Sequence, residues 1–133
     1  MALFFTVQSQ ADASRLAAGG APWPAGLQRA NLGLGLYAWE SLQEAENYRQ
    51  LLVNHGATGL VVLTYAVNDV DMAALTTLDL TLLSDEDVNA WMAMFSLYGQ
   101  GQPHNFEHIV RNTGKGREHY FAAPVFGQLT EMP

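Results

Sequence analysis

Cysteine is absent from the 133-residue chain. That removes a disulfide framework, a thiol nucleophile and any cysteine-built zinc site from consideration. Basic residues are scarce: six Lys and Arg stand against thirteen Asp and Glu, a net charge of −7. Such a balance repels a phosphate backbone and argues against a broad nucleic-acid groove, with a local basic patch as the one exception. No apolar run approaches membrane-spanning length, and no basic leader precedes Leu3, Phe4 and Phe5. Neither insertion nor a signal peptide is therefore expected, and the chain reads as soluble with no membrane partner. Internal repeats and low-complexity segments are missing too, the nearest thing to a linker being Gly19 to Asn31. With 49% apolar residues, residues 1–133 hold enough for one core and read as a single domain.

What is present concentrates in Gly33 to Tyr48, GLGLYAWESLQEAENY. Gly33 and Gly35 allow the backbone to approach a ligand or turn sharply. In the run that follows, alternation puts Tyr37 and Trp39 on one side of a strand and Leu34, Leu36 and Ala38 on the other. Ser41 and Glu44 have the form of a capping box, so a helix should begin at once. On it Ala45, Tyr48 and Leu52 make one stripe, and that stripe turned towards the strand would bring Tyr48 near Tyr37, two aromatic faces able to clamp a flat ring.

Along the rest of the chain, Ala2 to Gln8 read as a strand, and Ser9 with Asp12 caps a helix ending at Gly19 and Gly20. Pro22, Trp23 and Pro24 mark a loop, with Trp23 as its packing anchor and Arg29 able to reach a pyrophosphate. His55 and Gly56 end the central helix, and Gly59 to Val67 forms a core strand. Leu78, Leu80 and Leu82 alternate with polar residues as a strand with one wet face. Ser84 and Asp87 cap a helix whose core stripe is Val88, Trp91, Met92, Phe95 and Tyr98. Gln100 to Gly116 is polar, with a possible helical turn after Pro103, and a last strand runs from Arg117 to Ala123.

The run GLGLYA, with Tyr48 eleven positions after its Tyr37, resembles the central motif of ADP-ribosyltransferases of the poly-ADP-ribose polymerase and diphtheria-toxin branch. The opening strand and helix, and GREHYFAAPV near the end, resemble that family's first and last signatures in the same order. The resemblance implies an α+β fold of two small twisted sheets with flanking helices around an NAD cleft. It implies that Tyr37 and Tyr48 sandwich the nicotinamide, that Gly35 and Ala45 line the same cofactor site, and that Glu118 polarises the ribose. Thr6 falls where the family has a ribose-holding His or Arg, and Val7 where the backbone binds the carboxamide; the threonine is a departure, because it supplies neither a ring nor a charge. The implied activity is transfer of ADP-ribose from NAD to a protein or RNA acceptor, or NAD hydrolysis on the same fold, with a non-catalytic binding member as a further possibility. Small toxin domains of this kind are carried by secreted effectors that act in a target-cell cytoplasm and have a cognate immunity protein, which is analogy alone.

The chemistry suits those residues. As the N-glycosidic bond of NAD breaks, its cationic pyridinium leaves as neutral nicotinamide through an oxocarbenium-like state, so aromatic faces bind the cationic ring, at about 0.5–2 kcal/mol each, while a carboxylate steadies the developing charge. Arg111, Lys115 and Arg117 gather half of the chain's basic residues before Glu118, which suggests an anion or acceptor dock. On its own each of these residues has a plainer reading, as core aromatic, solvated strand end or solubilising loop charge. Two competing motifs remain. Gly33, Gly35 and Ala38 match a dinucleotide fingerprint but lack its preceding strand and distant acid. His104, Glu107 and His108 spell H-x-x-E-H, which on a helix would hold zinc for a peptidase; the Pro- and Gly-flanked segment disfavours it, and no metal is expected. His55 and His119 read as structural.

Overall fold

The computed structural model describes residues 1–18, 32, 35–98 and 105–132, with the side chains of 96–98 left aside. Trp23, Arg29, Gly33 and His104 lie outside the described residues. The described elements run β1 (Ala2–Ser9), α1 (Gln10–Ala17), β2 (Gly35–Trp39), α2 (Leu42–Asn54), β3 (Leu60–Val67), α3 (Asp69–Ala74), β4 (Thr77–Asp79), α4 (Asp85–Tyr98), β5 (His108–Thr113), β6 (Gly116–Ala122) and β7 (Thr130–Met132). The class is α+β. Instead of two small sheets, the described strands form one seven-stranded sheet in the order β4-β5-β6-β2-β1-β3-β7. Pairing is antiparallel except for β4 with β5.

Local chemistry explains most boundaries. Ser9, Ser41 and Ser84 each accept the backbone N–H three residues on, at 3.1, 3.1 and 3.2 Å, which starts α1, α2 and α4. Asn68 caps α3 in the same way, taking the Asp71 N–H at 2.8 Å; this helix is not signalled by any apolar stripe and is absent from the sequence reading. The strand expected through Leu82 stops at Asp79, whose carboxylate accepts the Thr81 N–H at 3.0 Å and turns the chain into a 3-10 turn over Leu80–Leu82. Leu80 is buried and Leu82 is left exposed as a result.

The polar stretch before Glu118 holds β5, which pairs with β6 through a tight turn in which Gly116 has φ 135°. A side chain at Gly116 would run into the Glu44 carboxylate, and that carboxylate accepts the Arg117 N–H at 3.0 Å. The same Glu44 takes the Ser41 hydroxyl at 2.9 Å, so the capping box of α2 also pins the β5–β6 hairpin.

Register divides the sheet into two faces. Tyr37, Trp39, Glu118, Tyr120, Ile109 and Arg111 share one. Its apolar part, with Ile109 and Tyr120, packs against Leu80, Phe95 and the α4 side chains Val88, Trp91 and Met92. The other face carries Leu36, Ala38, Phe121 and Phe4, packed with Leu16 of α1, Leu75 and Val125. Full burial of side chains of this size contributes about 1.5–3 kcal/mol each, and the two clusters hold the sheet from both sides.

Candidate functional site

On the first face, register places Tyr37 opposite Tyr120 and Trp39 opposite Glu118, so Glu118 is the diagonal neighbour of Tyr37. The Tyr37 ring tilts against Tyr120 with centroids 5.3 Å apart, and its hydroxyl oxygen accepts the Leu32 N–H at 3.2 Å. Burial pushes the Tyr37 phenol well up, opposed by the Leu32 N–H and Arg111 and assisted by Tyr120 and Glu118. Tyr48 does not lie over Tyr37 in the manner expected: its ring rests on Trp39, with centroids 5.4 Å apart and planes at 49°. The reason is the short connection between β2 and α2, which sets the helix over the end of the strand, where Trp39 stands. Tyr48 also borders a cavity of about 240 Å³, together with Val7, Gln8, Asp12, Leu52 and His55.

Glu118 is held in place by Arg111, whose Nε donates to its Oε1 at 2.7 Å while a terminal guanidinium nitrogen reaches the same oxygen at 2.6 Å. Both side chains are mostly covered, at 18% and 14% exposure, so the pair is stronger than a surface ion pair. The expected anion dock is divided by strand alternation. Arg117 pairs in register with Asn112 and points to the other face, 3.4 Å from Glu40 and 3.9 Å from Asp79. Lys115 sits in the hairpin turn, where its N–H bonds the Thr113 hydroxyl. The three basic residues therefore do not converge on one ligand.

Three further site assignments change. Thr6 is fully buried, donates its hydroxyl to the Tyr37 carbonyl at 2.8 Å and accepts from the Gln8 amide at 2.8 Å. Phe5 pairs with Trp39, so alternation turns Phe5 and Val7 towards the aromatic face and Thr6 away from it. Ala45 is 0% exposed and is the point where α2 seats on the sheet, not a ligand contact. Gly35 is required by the neighbouring strand: an added Cβ would meet the Phe121 carbonyl and lie 2.6 Å from the Tyr120 ring. Tyr37 and Glu118 remain on the aromatic face, and Tyr48 and Val7 line the cavity.

The opposite face holds a cluster that the sequence reading dispersed. The Thr77 hydroxyl lies 3.1 Å from His108 Nδ1, His108 Nε2 lies 2.8 Å from His119 Nδ1, and His119 Nε2 lies 2.7 Å from Glu40 Oε1. Both imidazoles are buried, at 4% and 5% exposure, with their planes 14° apart. Burial pulls His108 down to about 4, assisted by His119 and opposed by Asp79. Burial also lowers His119, against the hydrogen bond and charge of Glu40. His108 belongs to β5 and not to a helix, and Glu107 spends its carboxylate on the Thr76 N–H at 2.8 Å; the helical zinc arrangement is therefore lost. Among the described residues, no group of three or more His, Asp or Glu could hold a metal ion. The signal for this cluster lay in T-G-K-G, a glycine-containing turn between two apolar stretches, which, read as a hairpin, puts His108 and His119 on one face as diagonal neighbours.

Among the described residues no helix is long and apolar enough to cross a membrane. The sequence matches no protein-family model and no curated protein.

Proposed function

We propose that the chain is a mono-ADP-ribosyltransferase of the effector type, cleaving NAD and passing ADP-ribose to a protein or RNA acceptor. The observation that carries the reading is a line of three groups: Tyr48 beside a cavity of about 240 Å³, Trp39 beneath Tyr48, and Glu118 as the cross-strand partner of Trp39. A flat cationic ring in that cavity stacks on Tyr48, and Val7, on the same wall, offers backbone groups to its carboxamide. Glu118 supplies the negative charge that an oxocarbenium-like ribose requires, with Arg111 fixing its direction. Tyr37 supports this carboxylate from the diagonal position rather than closing the clamp, and the ribose contact passes from Thr6 to the neighbouring β1 positions Phe5 and Val7. An immunity protein covering this mouth is the partner that such an effector requires.

The test is release of nicotinamide from NAD by the purified chain with cell extract as acceptor source. Glu118→Gln is expected to lower the rate about 100-fold or more, the scale for removing one electrostatic contact to a transition state, while Tyr48→Ala raises KM by roughly 2- to 30-fold. Labelled ADP-ribose then separates the outcomes: label on protein or RNA supports transfer, and free ADP-ribose supports hydrolysis. An absence of nicotinamide release both with and without cell extract overturns the reading.

A further inference from the structure

A hydroxyl, two imidazoles and a carboxylate joined end to end across four neighbouring strands is an arrangement unconnected with the NAD reading. Thr77 is on β4, His108 on β5, His119 on β6, and Glu40 directly follows β2, which is the order of these strands in the sheet. The donor order follows from one end. A carboxylate only accepts, so His119 donates its Nε2 proton to Glu40 and must accept at Nδ1 from His108 Nε2–H. That leaves the His108 Nδ1 lone pair facing the Thr77 hydroxyl, whose alternative acceptor, the Leu75 carbonyl, is more distant at 3.4 Å. Every proton in the chain is used once, with both rings neutral. Phe121 stacks on His108 at 4.8 Å and Phe4 lies 4.7 Å from His119, which fixes both rings and keeps water from them.

We propose that Thr77, His108, His119 and Glu40 form a second catalytic site, in which Thr77 Oγ1 is the nucleophile towards small carboxylic esters. Nucleophile, base and orienting group stand within hydrogen-bond reach in series, which is the geometry of activated-hydroxyl catalysis. In the step, the Oγ1–acyl carbon bond forms, the Oγ1 proton passes to His108 Nδ1, and that proton leaves with the departing alkoxide as the ester C–O bond breaks. Water then repeats the sequence on the acyl-threonine, giving a carboxylic acid and the free hydroxyl. His108 is the catalytic base; His119 and Glu40 are positioning residues that hold its tautomer. Thr77 is itself exposed on the edge strand β4, open to substrate, whereas the base is buried. The charged groups facing the two rings are Glu40, Asp79 and Arg117. Burial outweighs the opposing pull of Asp79 and leaves His108 neutral and able to accept a proton through the whole neutral range, so the site's activity should fall only near pH 4 instead of near 6.5. A base of such low proton affinity also implies slow turnover.

The experiment treats the full chain with a fluorophosphonate, in which the Oγ1–P bond forms, fluoride leaves and His108 takes the proton, and maps the adduct by mass spectrometry. The expected result is an adduct on Thr77, kept in Thr77→Ser and lost in Thr77→Ala, with His108→Gln slowing labelling about 100-fold. Glu40→Gln, at an exposed position, should slow labelling about tenfold and move the acid limb of its pH profile; this variant and Thr77→Ala decide the matter if His108→Gln fails to fold. No adduct, an adduct elsewhere, or labelling indifferent to Glu40→Gln and its pH profile overturns the proposal. Because nicotinamide release is not read, the outcome is independent of the proposed transferase activity.

Discussion

The two faces of the β5–β6–β2 region solve the same problem, polar groups beside a packed sheet, in opposite ways. On the aromatic face a full charge is kept, with Glu118 tied to Arg111 at 2.6–2.7 Å and still 14% exposed. On the other face the buried groups are kept neutral and the charges stay at the rim: two histidines are buried, linked to each other and to a hydroxyl and to the exposed Glu40 carboxylate. A paired charge keeps its field and can act on a ligand, whereas a neutral imidazole chain keeps its lone pairs and can move a proton. The difference explains why one face suits electrostatic stabilisation of a cation and the other suits hydroxyl activation.

Phe121→Ala tests the dependence of the second face on apolar support and should have the largest effect. Phe121 is 0% exposed, packs edge-on against Phe4 and stacks on His108. Its truncation is expected to cost about 3–5 kcal/mol, read as a lower urea midpoint. An equal loss from Tyr120→Ala on the aromatic face would show that the two faces are not differently supported.

Acid sharpens the comparison further. His108 is near 4 in the fold and about 6.5 when unfolded. Above pH 6.5 both states hold it neutral, and stability is unaffected by its titration. As pH falls from 6.5 towards 4 the unfolded chain binds the proton first, so stability drops by about 1 kcal/mol per pH unit. His119 shifts in the same direction and adds to the loss. Urea unfolding of the wild type at pH 7 and pH 5 should show this fall, and His108→Asn should flatten it; a wild-type midpoint unchanged at pH 5 breaks the assignment of neutral buried imidazoles.

Much of this was legible in the residues. Capping serines at 9, 41 and 84 and the apolar run Leu60–Val67 announce their elements because the information is local. Single-residue alternation placed Tyr37 and Trp39 together for the same reason. What was hidden depends on pairing between distant segments. β5 carries only two apolar residues, Ile109 and Val110, and is masked by the H-x-x-E-H pattern, and without β5 neither the Arg111–Glu118 pair nor the His108–His119 contact has a register. The family resemblance turns Thr6, Ala45 and Gly35 towards a ligand, but which face a strand or helix turns inward is decided by the elements packed against it.

Thr6→Val is the smallest change and the sharpest on that point. Valine keeps the shape and removes the hydroxyl, leaving the Tyr37 carbonyl and the Gln8 amide each short of a partner. The expected cost is about 1–2 kcal/mol, seen in the urea midpoint. Nicotinamide release, measured on the folded fraction, should be unchanged, because Thr6 lies on the face away from Tyr37 and Glu118 while the wall beside Tyr48 is made by Val7. The converse result, intact stability with lost release, would return the ribose contact to Thr6 and require β1 to present the opposite face; the division between a charge-bearing face and a proton-bearing face would then fail at its first strand.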